Sequence, residues 1–407
     1  MPGEHARLSP SSSHRWLACT KSVQLESRYP ESTSKAADEG TTAHKLSELL
    51  LKLWMHNTGP YTDPKEYSKR QQEIKAEIAE VQQDEHYLAD PTNMQRYCEE
   101  FRDFVIAKFQ AAQKKTKDAM LELETKTDLR AFLPEGFGTV DITIIADGVL
   151  QIIDLKYGKG HHVDADNNSQ LMIYAAGVYE EYCSLYDIHT VEMTIYQPRT
   201  DNIGTFEIPA SDLLDWAENF VKPRAILAFN GEGEYVAGHH CKFCKAKFDC
   251  SAKAKHEMAI LEYTEFDNDV LDDNALADIV DRAGSFIEWA KGVKEFAITE
   301  ALSGRRKLPG FKIVEGKSNR KYADPEAVAK VLMENGVPED KIYKPAEVRA
   351  LTELSGIVGK KAFENYLGDL LIKPDGAPTL AHTSDKRPEY NPFNKNVNDI
   401  FADVEVD

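Results

Sequence analysis

Asp154 and Lys156 stand two residues apart in the apolar stretch VLQIIDLKYGKG, residues 149–160. Side chains alternate along a strand, so residues i and i+2 share a face. A carboxylate and an ammonium are thereby aimed at the same place. Upstream, Asp147-Gly148 is a two-residue hairpin signal between two apolar runs. If those two residues form the loop, Ala146 pairs with Val149, and Asp141 lies directly opposite Asp154 with Cβ atoms about 4.5–5.5 Å apart. Two facing carboxylates repel, and one takes up a proton unless a cation sits between them. A divalent metal resolves the conflict, and hard oxygen ligands on a partly open site favour Mg2+ or Mn2+. Lys156 then stands beside the metal, placed to orient a water or to stabilise charge developing on a phosphate. The alternative is a plain Asp154–Lys156 ion pair at the exposed end of a hairpin, and a β-bulge would offset the two aspartates.

A second group with chemical potential lies in CKFCKAKFDC, where Cys241, Cys244 and Cys250 are clustered with one C-x-x-C step. Such a cluster reads as a metal site lacking one ligand. Cys19, in HRWLACTKS, is the best candidate for the fourth, with His239 and His240 as competitors. Three unrelated buried thiols are the alternative. Cys98 falls on the apolar face of a helix, and it and Cys183 read as buried free thiols.

These residues need a scaffold. At 407 residues the chain is long enough for roughly two to three domains. With 42% hydrophobic and 29% charged residues it has an ordinary globular composition. No apolar run approaches the ~20 residues that span a bilayer. The first twenty residues lack a signal-peptide core. The expectation is a cytoplasmic protein without membrane contact, whose six cysteines do not form a disulfide framework. The net charge of −19 argues against a generally sticky nucleic-acid binder. It leaves room for a local basic groove: KFCKAKFDCSAKAKH (242–256) sets five lysines against Asp249, and GRRK (304–307) adds more.

Residues 1 to about 35, rich in Ser and Pro, look like an arm. Leu46, Leu49, Leu50 and Leu53 have helical spacing within 41–57, and Tyr97, Cys98, Phe101, Phe104, Val105 and Phe109 share one side of a helix near 92–115. Strands are expected at 119–129, as a hairpin over 136–158, and at 189–199. Helices are expected over 167–182 and over 211–230, the latter with a break at Pro223. After 258 the chain turns to acidic helices, a mixed segment and further helices to about 371. The stretch 386–407 is polar, acidic and expected to be flexible.

The order Asp141, hydrophobic hairpin, Asp154-x-Lys156 resembles the core motif of the PD-(D/E)XK nuclease superfamily. The following QLMIY, with Gln170 and Tyr174 four apart on one helix face, is similar to its RecB-type branch. In that branch a histidine on an N-terminal helix completes the metal site; His44 in GTTAHKLSE fits, with Glu48 one turn on. The acidic residue of the preceding strand is Glu124 or Glu122. No proline precedes Asp141; its neighbour is Val140. The resemblance implies that His44, Asp141, Asp154 and the Leu155 carbonyl bind Mg2+ or Mn2+. It further implies that Lys156 positions the attacking water, Gln170 holds the Lys156 region, and Tyr174 approaches the DNA backbone.

One cysteine before this core and three after it resembles the iron–sulfur nucleases of the AddB and CRISPR-adaptation types. There a [4Fe–4S] cluster clasps the ends of the nuclease domain, here through Cys19, Cys241, Cys244 and Cys250, with zinc as the alternative. The C-terminal third, with GFKIVEGKSNRKY (310–322), VGKKAFENYLGDLLIKP (358–374) and SDKRPEYN (384–391), resembles an uncharacterised family encoded mainly by phages and prophages, which would cover nearly the whole chain. Lys307, Lys312, Lys317, Arg320 and Lys321 there line DNA or form a solvated face.

The expectation is an α/β protein, a restriction-endonuclease-like mixed sheet core flanked by helices, with a mostly helical C-terminal accessory domain. Its parts are an arm (1–35) supplying Cys19, a helical region (36–118) with His44, a nuclease core (119–235), a three-cysteine clasp (236–258), an accessory domain (259–385) and an acidic tail (386–407). The implied activity is metal-dependent DNA exonuclease action in phage recombination or replication, beside a single-strand-binding or annealing protein. The rivals are a non-catalytic DNA-binding or assembly subunit and a metal-clasped interaction protein.

Overall fold

Apolar β-branched runs punctuated by turn residues dictate the centre of the molecule. A computed structural model describes residues 6–30, 35–59, 63–160, 162–262, 271–314, 325–335 and 337–343, with four single residues beyond them. Its sheet has five strands in the order β1 (Met120–Asp128), β2 (Phe137–Ala146), β3 (Gly148–Leu155), β4 (Ile188–Gln197), β5 (Asn202–Pro209). All neighbours are antiparallel except β3 and β4, which are parallel. A parallel pair needs a crossover, and helix α7 (Ser169–Tyr182) supplies it. At the hairpin Gly148 takes φ 87°, a value suited to glycine. Ala146 pairs with Val149, and the same register runs to Ile142↔Ile153. Asp141 and Asp154 are the next residues out.

The sheet is covered on both faces. Two short helices of the N-terminal segment, α1 (Ser13–Trp16) and α2 (Ser22–Glu26), lead to four helices: α3 (Lys35–Thr58), α4 (Pro64–Val81), α5 (Glu85–Ala89) and α6 (Pro91–Lys115). Phe101, Val105 and Phe109 of α6 pack with Ile142, Ile144, Ile153 and Leu155. On the other face α7 packs with Leu150, Ile152, Val191 and Met193. Leu8, Trp16 and Leu17 join that second layer and are buried. The segment that composition marks as an arm is therefore part of the core. Three bulky apolar side chains outweigh its Ser and Pro content.

Helices α8 (Ala210–Trp216) and α9 (Lys222–Asn230) are joined by a π-helical turn, Ala217–Val221. The expected break at Pro223 is thus a widened turn in an almost continuous helix, which suits a residue without an N–H. Strand β5 and helix α4 are not anticipated from the pattern.

After α10 (Ser251–Met258), helix α11 (Asp273–Leu302) begins. Trp289 donates from Nε1 to the Lys247 carbonyl at 3.2 Å, and Ser285 Oγ donates to Glu257 at 2.8 Å. The compact units are accordingly Met1–Phe296 and Ala297–Asp407, so most of α11 belongs with the first, beyond the boundary expected at 258/259. The second unit contains α12 (Pro325–Glu334) and α13 (Glu339–Ile342). Lys307 and Lys312 are exposed. Lys317, Arg320, Lys321, the SDKRPEYN motif and the tail lie outside the described residues. The mixed α/β architecture, a helix-flanked sheet followed by a helical C-terminal region, is the one expected.

Candidate metal centre

Three acidic residues reach the same level of three neighbouring strands. In β1, Glu124 lies between the pairs Leu123↔Ile142 and Thr125↔Val140, hence across from Asp141. Its backbone sits at φ 48°, in the left-handed region, at a cost of order 1–3 kcal/mol for a residue with a side chain. Asp141 faces Glu124 on one side and Asp154 of β3 on the other. Helix α3 brings in His44, whose Nδ1 is 3.3 Å from Asp141 Oδ2 and 3.7 Å from Glu124 Oε1. Ligand atoms of His44, Glu124 and Asp141 all lie within 4.8 Å of one another. A small cavity beside them is lined by Glu48, Phe101 and Leu155 among others. Glu48 is held by Lys45 at 2.9 Å and Lys52 at 2.5 Å.

Asp141 and Asp154 do not face each other unrelieved. Asp141 Oδ2 accepts from the Leu155 N–H at 2.9 Å. Asp154 Oδ1 accepts from Lys156 Nζ at 3.1 Å and from Gln170 Nε2 at 3.0 Å, while Lys156 also donates to Gln170 Oε1 at 3.2 Å. Asp154 Oδ2 is 2.9 Å from the same ammonium yet, buried, accepts no hydrogen bond. Side-chain atoms of Asp154, Lys156 and Gln170 thus form one closed triangle, built from β3 and the first turn of α7. Asn168 caps that helix, accepting from the Gln170 and Leu171 N–H groups.

The electrostatics follow from burial and crowding. Burial, aided by Asp154 and Glu124 and opposed by His44, raises Asp141 to about 7. Burial works against a charged His44, but Asp141, Glu124 and Asp154 outweigh it and raise the imidazole to about 9. Burial likewise opposes the Lys156 charge, and Asp154 and Asp141 hold that ammonium above the ordinary lysine range.

Tyr174, one turn after Gln170, is 8% exposed. Its ring occupies the place of a side chain at Gly138: a Cβ there would meet Tyr174 Cε1 at 2.5 Å. Gly138→Ala is expected to displace the ring and cost about 1–3 kcal/mol by overpacking. Urea denaturation measures it, and an unchanged midpoint contradicts it.

The four cysteines Cys19, Cys241, Cys244 and Cys250 line a single cavity with Arg15, His240, Lys247 and Lys253. Cys19 comes from the N-terminal segment, and Thr20 Oγ1 beside it donates to the Glu232 carbonyl at 2.7 Å. The Val236 N–H points at Cys19 Sγ at 3.4 Å. Among the described residues no three cysteine sulfurs lie within 4.8 Å of one another. His240 Nε2 is 2.8 Å from the Val236 carbonyl. Cys98 is buried and donates to the Ala43 carbonyl at 3.5 Å; burial pushes its thiol up to about 12, as suits a structural cysteine. Cys183 is exposed, contrary to the expectation of a buried thiol, because it follows the last turn of α7.

A family model described as "Protein of unknown function (DUF2800)" matches residues 5–388. The chain belongs to that family. The match agrees with the expectation of an uncharacterised family that spans nearly the whole sequence. A solved structure described as "Crystal structure of SSO0001" is 17% identical, over 51% of this chain and 95% of its own, with a TM-score of 0.22. That similarity is too slight to bear on the fold.

In this DUF2800 protein the donor set fits a hard divalent cation: one imidazole nitrogen and carboxylate oxygens, in negative excess. Periodicity could not separate Glu122 from Glu124, which share a strand phase. Packing does so: Glu122 accepts from the Tyr182 hydroxyl at 2.7 Å, leaving Glu124 to face His44. Glu124→Ala is expected to weaken Mn2+ binding by at least about 10-fold, and Glu122→Ala to leave it unchanged. Titration calorimetry reads both, and the reverse order would reject Glu124 as a ligand.

Among the described residues no helix is long and apolar enough to cross a membrane.

Proposed function

We propose that this DUF2800 protein is a Mg2+- or Mn2+-dependent deoxyribonuclease that hydrolyses phosphodiester bonds, acting from DNA ends as an exonuclease. The observation that carries this reading is the convergence of His44, Glu124 and Asp141 beside the Asp154–Lys156–Gln170 triangle. The resemblance of that residue order to the RecB-like PD-(D/E)XK nucleases supports it from the sequence side.

His44, Glu124 and Asp141 would hold a divalent cation, with Asp154 and the Leu155 carbonyl as further ligands that the resemblance implies, and such an ion would supply positive charge to a phosphate and lower the pKa of a water. His44 must shed its proton to serve as a ligand. Lys156 stays protonated, because Asp154 and Asp141 hold its charge. Its Nζ, fixed by Gln170, orients the attacking water or meets the charge on the scissile phosphate. Gln170 keeps that ammonium from rotating away; Tyr174, expected to approach the DNA backbone, is instead buried with its ring against Gly138. Cys19, Cys241, Cys244 and Cys250 would hold a [4Fe–4S] cluster, whose contribution is to tie the N-terminal segment to the chain beyond α9. The setting that suits such an enzyme is phage recombination or replication in a bacterial cytoplasm, beside a single-strand-binding or annealing protein.

The test incubates anaerobically purified protein and its Asp154→Ala variant with Mn2+ or Mg2+. The substrates are end-labelled linear DNA, single- and double-stranded, and a closed circle. Loss of linear DNA alone, in the wild type alone, is the expected outcome. A cut circle would replace exonuclease by endonuclease. Intact DNA in every lane with cofactor-loaded protein would overturn the reading.

A further inference from the structure

Ser22 opens the short helix α2 and is 4% exposed, yet its buried hydroxyl has no hydrogen-bond partner in the protein. The side chain lines the cavity walled by Cys19, Cys241, Cys244 and Cys250. The charged and imidazole groups of that wall are engaged. Arg15 pairs with Glu26 at 3.2 Å, Lys247 Nζ donates to the Lys242 carbonyl at 2.6 Å, and Lys253 pairs with Glu257. His240 Nε2 lies 2.8 Å from the Val236 carbonyl. The two polar residues between Cys19 and Ser22 are also spoken for: Thr20 Oγ1 donates to the Glu232 carbonyl at 2.7 Å, and Lys21 Nζ lies 5.4 Å from the Tyr235 ring centroid. A buried hydroxyl left without an acceptor is costly. Its acceptor is therefore to be sought in what the cavity binds.

We infer that the Ser22 hydroxyl donates a hydrogen bond to a sulfur of the metal–thiolate group held by Cys19, Cys241, Cys244 and Cys250. The inference rests on the metal reading of those cysteines given above. The local backbone supports it. Cys19 and Ser22 have the spacing of Cys241 and Cys244, and both turns close in the same way. The Ser22 N–H donates to the Cys19 carbonyl at 2.9 Å, and the Cys244 N–H donates to the Cys241 carbonyl at 3.1 Å. Ser22 thus stands to Cys19 as Cys244 stands to Cys241, and all four side chains line one cavity. In the N-terminal turn a hydroxyl takes the place of the second thiol.

The chemistry favours sulfur over water as the acceptor. A free thiol accepts weakly, whereas a metal-bound thiolate or a cluster sulfide carries negative charge and accepts well. A water in the same place would need two to four polar partners, and the wall beside Ser22 includes the apolar side chains of Leu25 and Val236. The consequence is electronic. Hydrogen bonds to the sulfurs are among the features that set the reduction potential of an iron–sulfur cluster. Negative charge on sulfur grows on reduction, so a donor favours the reduced form. Arg15 and Lys253 push the same way, but Glu26 and Glu257 offset them.

The test compares the full chain, reconstituted anaerobically with iron and sulfide, with its Ser22→Ala and Ser22→Thr variants. Iron and sulfide content is read first, then the midpoint potential, by dithionite titration followed in the visible spectrum. Ser22→Ala should keep the cluster and the melting temperature. It should move the reduction equilibrium up to about tenfold toward the oxidised form, a fall of up to about 59 mV for one electron. Ser22→Thr, which keeps a hydroxyl, should restore the wild-type potential. A Ser22→Ala protein with an unchanged potential would overturn the role of Ser22 and leave the cluster standing. So would an equal shift in both variants, which would mark a packing effect. If Ser22→Ala sheds the cluster, its retention in Ser22→Thr supports the hydroxyl, and loss in both overturns it. A wild type that takes zinc and no iron would sink the iron–sulfur reading alone. The cobalt-substituted protein then decides: its thiolate-to-metal absorption should move to lower energy in Ser22→Ala, and an unmoved band would overturn the hydrogen bond. A wild type that binds no metal would overturn both.

Discussion

Asp141→Asn is expected to reduce metal-dependent DNA hydrolysis by about three orders of magnitude without unfolding the protein. Asp141 is the residue on which the site turns. It stands within 3.3 Å of His44 Nδ1, across from Glu124, and accepts the Leu155 N–H that sets the start of the Asp154–Lys156 segment. Asparagine is the sharper replacement, because its amide oxygen can keep the bond from Leu155 while the charge is lost. That charge is costly in the folded chain without a cation, since burial already pushes the carboxyl up to about 7. The variant should therefore be at least as stable as the wild type when metal is absent, a trade of stability for function familiar at active sites. Two readouts decide it: single-turnover cleavage of end-labelled DNA in Mn2+, and the urea midpoint in chelator. Retained cleavage would remove Asp141 from the metal site. Lost cleavage with a collapsed midpoint would make its role structural.

Cys19→Ser is expected to strip the proposed iron–sulfur cluster and to destabilise the fold more than loss of any buried thiol outside the lobe. Cys19 and Cys241 enclose a loop of about 220 residues. A covalent tie across such a loop removes about 5 kcal/mol of unfolded-chain freedom by the scaling used for disulfides. The contacts left behind are Thr20 to the Glu232 carbonyl, the Lys245 N–H to Glu26, Tyr29 to Asp249 and the buried Leu8, Trp16 and Leu17, which should keep the segment docked while the tie is lost. The control is Cys98→Ser, whose thiol lies in a separate cluster with Leu46, Met94 and Tyr157 and should not affect the cofactor. Iron and sulfide analysis with the visible spectrum reads the cluster, and thermal melting reads the clasp. Wild type carrying one equivalent of zinc and no iron would replace the cluster by a zinc site. Cys19→Ser with full iron content would remove Cys19 from the ligand set.

The hairpin was the most legible part of the chain, because its signals are local. Asp147-Gly148 forces a two-residue turn, and the apolar runs on each side admit one register. Helices α3, α6 and α7 were legible for the same reason, each having an apolar stripe at helical spacing. Helix α4 was not: Ile74 is its one buried residue, so the sequence shows almost no stripe. Strand β5 was hidden because an edge strand alternates only between half-buried and exposed, with Gly204 and Pro209 diluting the pattern. The N-terminal segment misled because composition averages over residues, while burial is decided by the few large ones, here Leu8, Trp16 and Leu17.

By itself the sequence determined the alternation that puts Asp154 and Lys156 on one face, the turn that brings Asp141 up to Asp154, and the helical spacing of Gln170 and Tyr174. Each depends on backbone geometry over a few residues. Only the tertiary structure decided that Glu124 rather than Glu122 meets His44, since both share a strand phase and a distant tyrosine, Tyr182, claims one of them. It likewise decided that Cys19 enters the cavity of Cys241, Cys244 and Cys250, and that Ser22 lines the same cavity. Those meetings join residues far apart in the chain. No local pattern encodes them, because they are set by how whole helices pack on the two faces of the sheet.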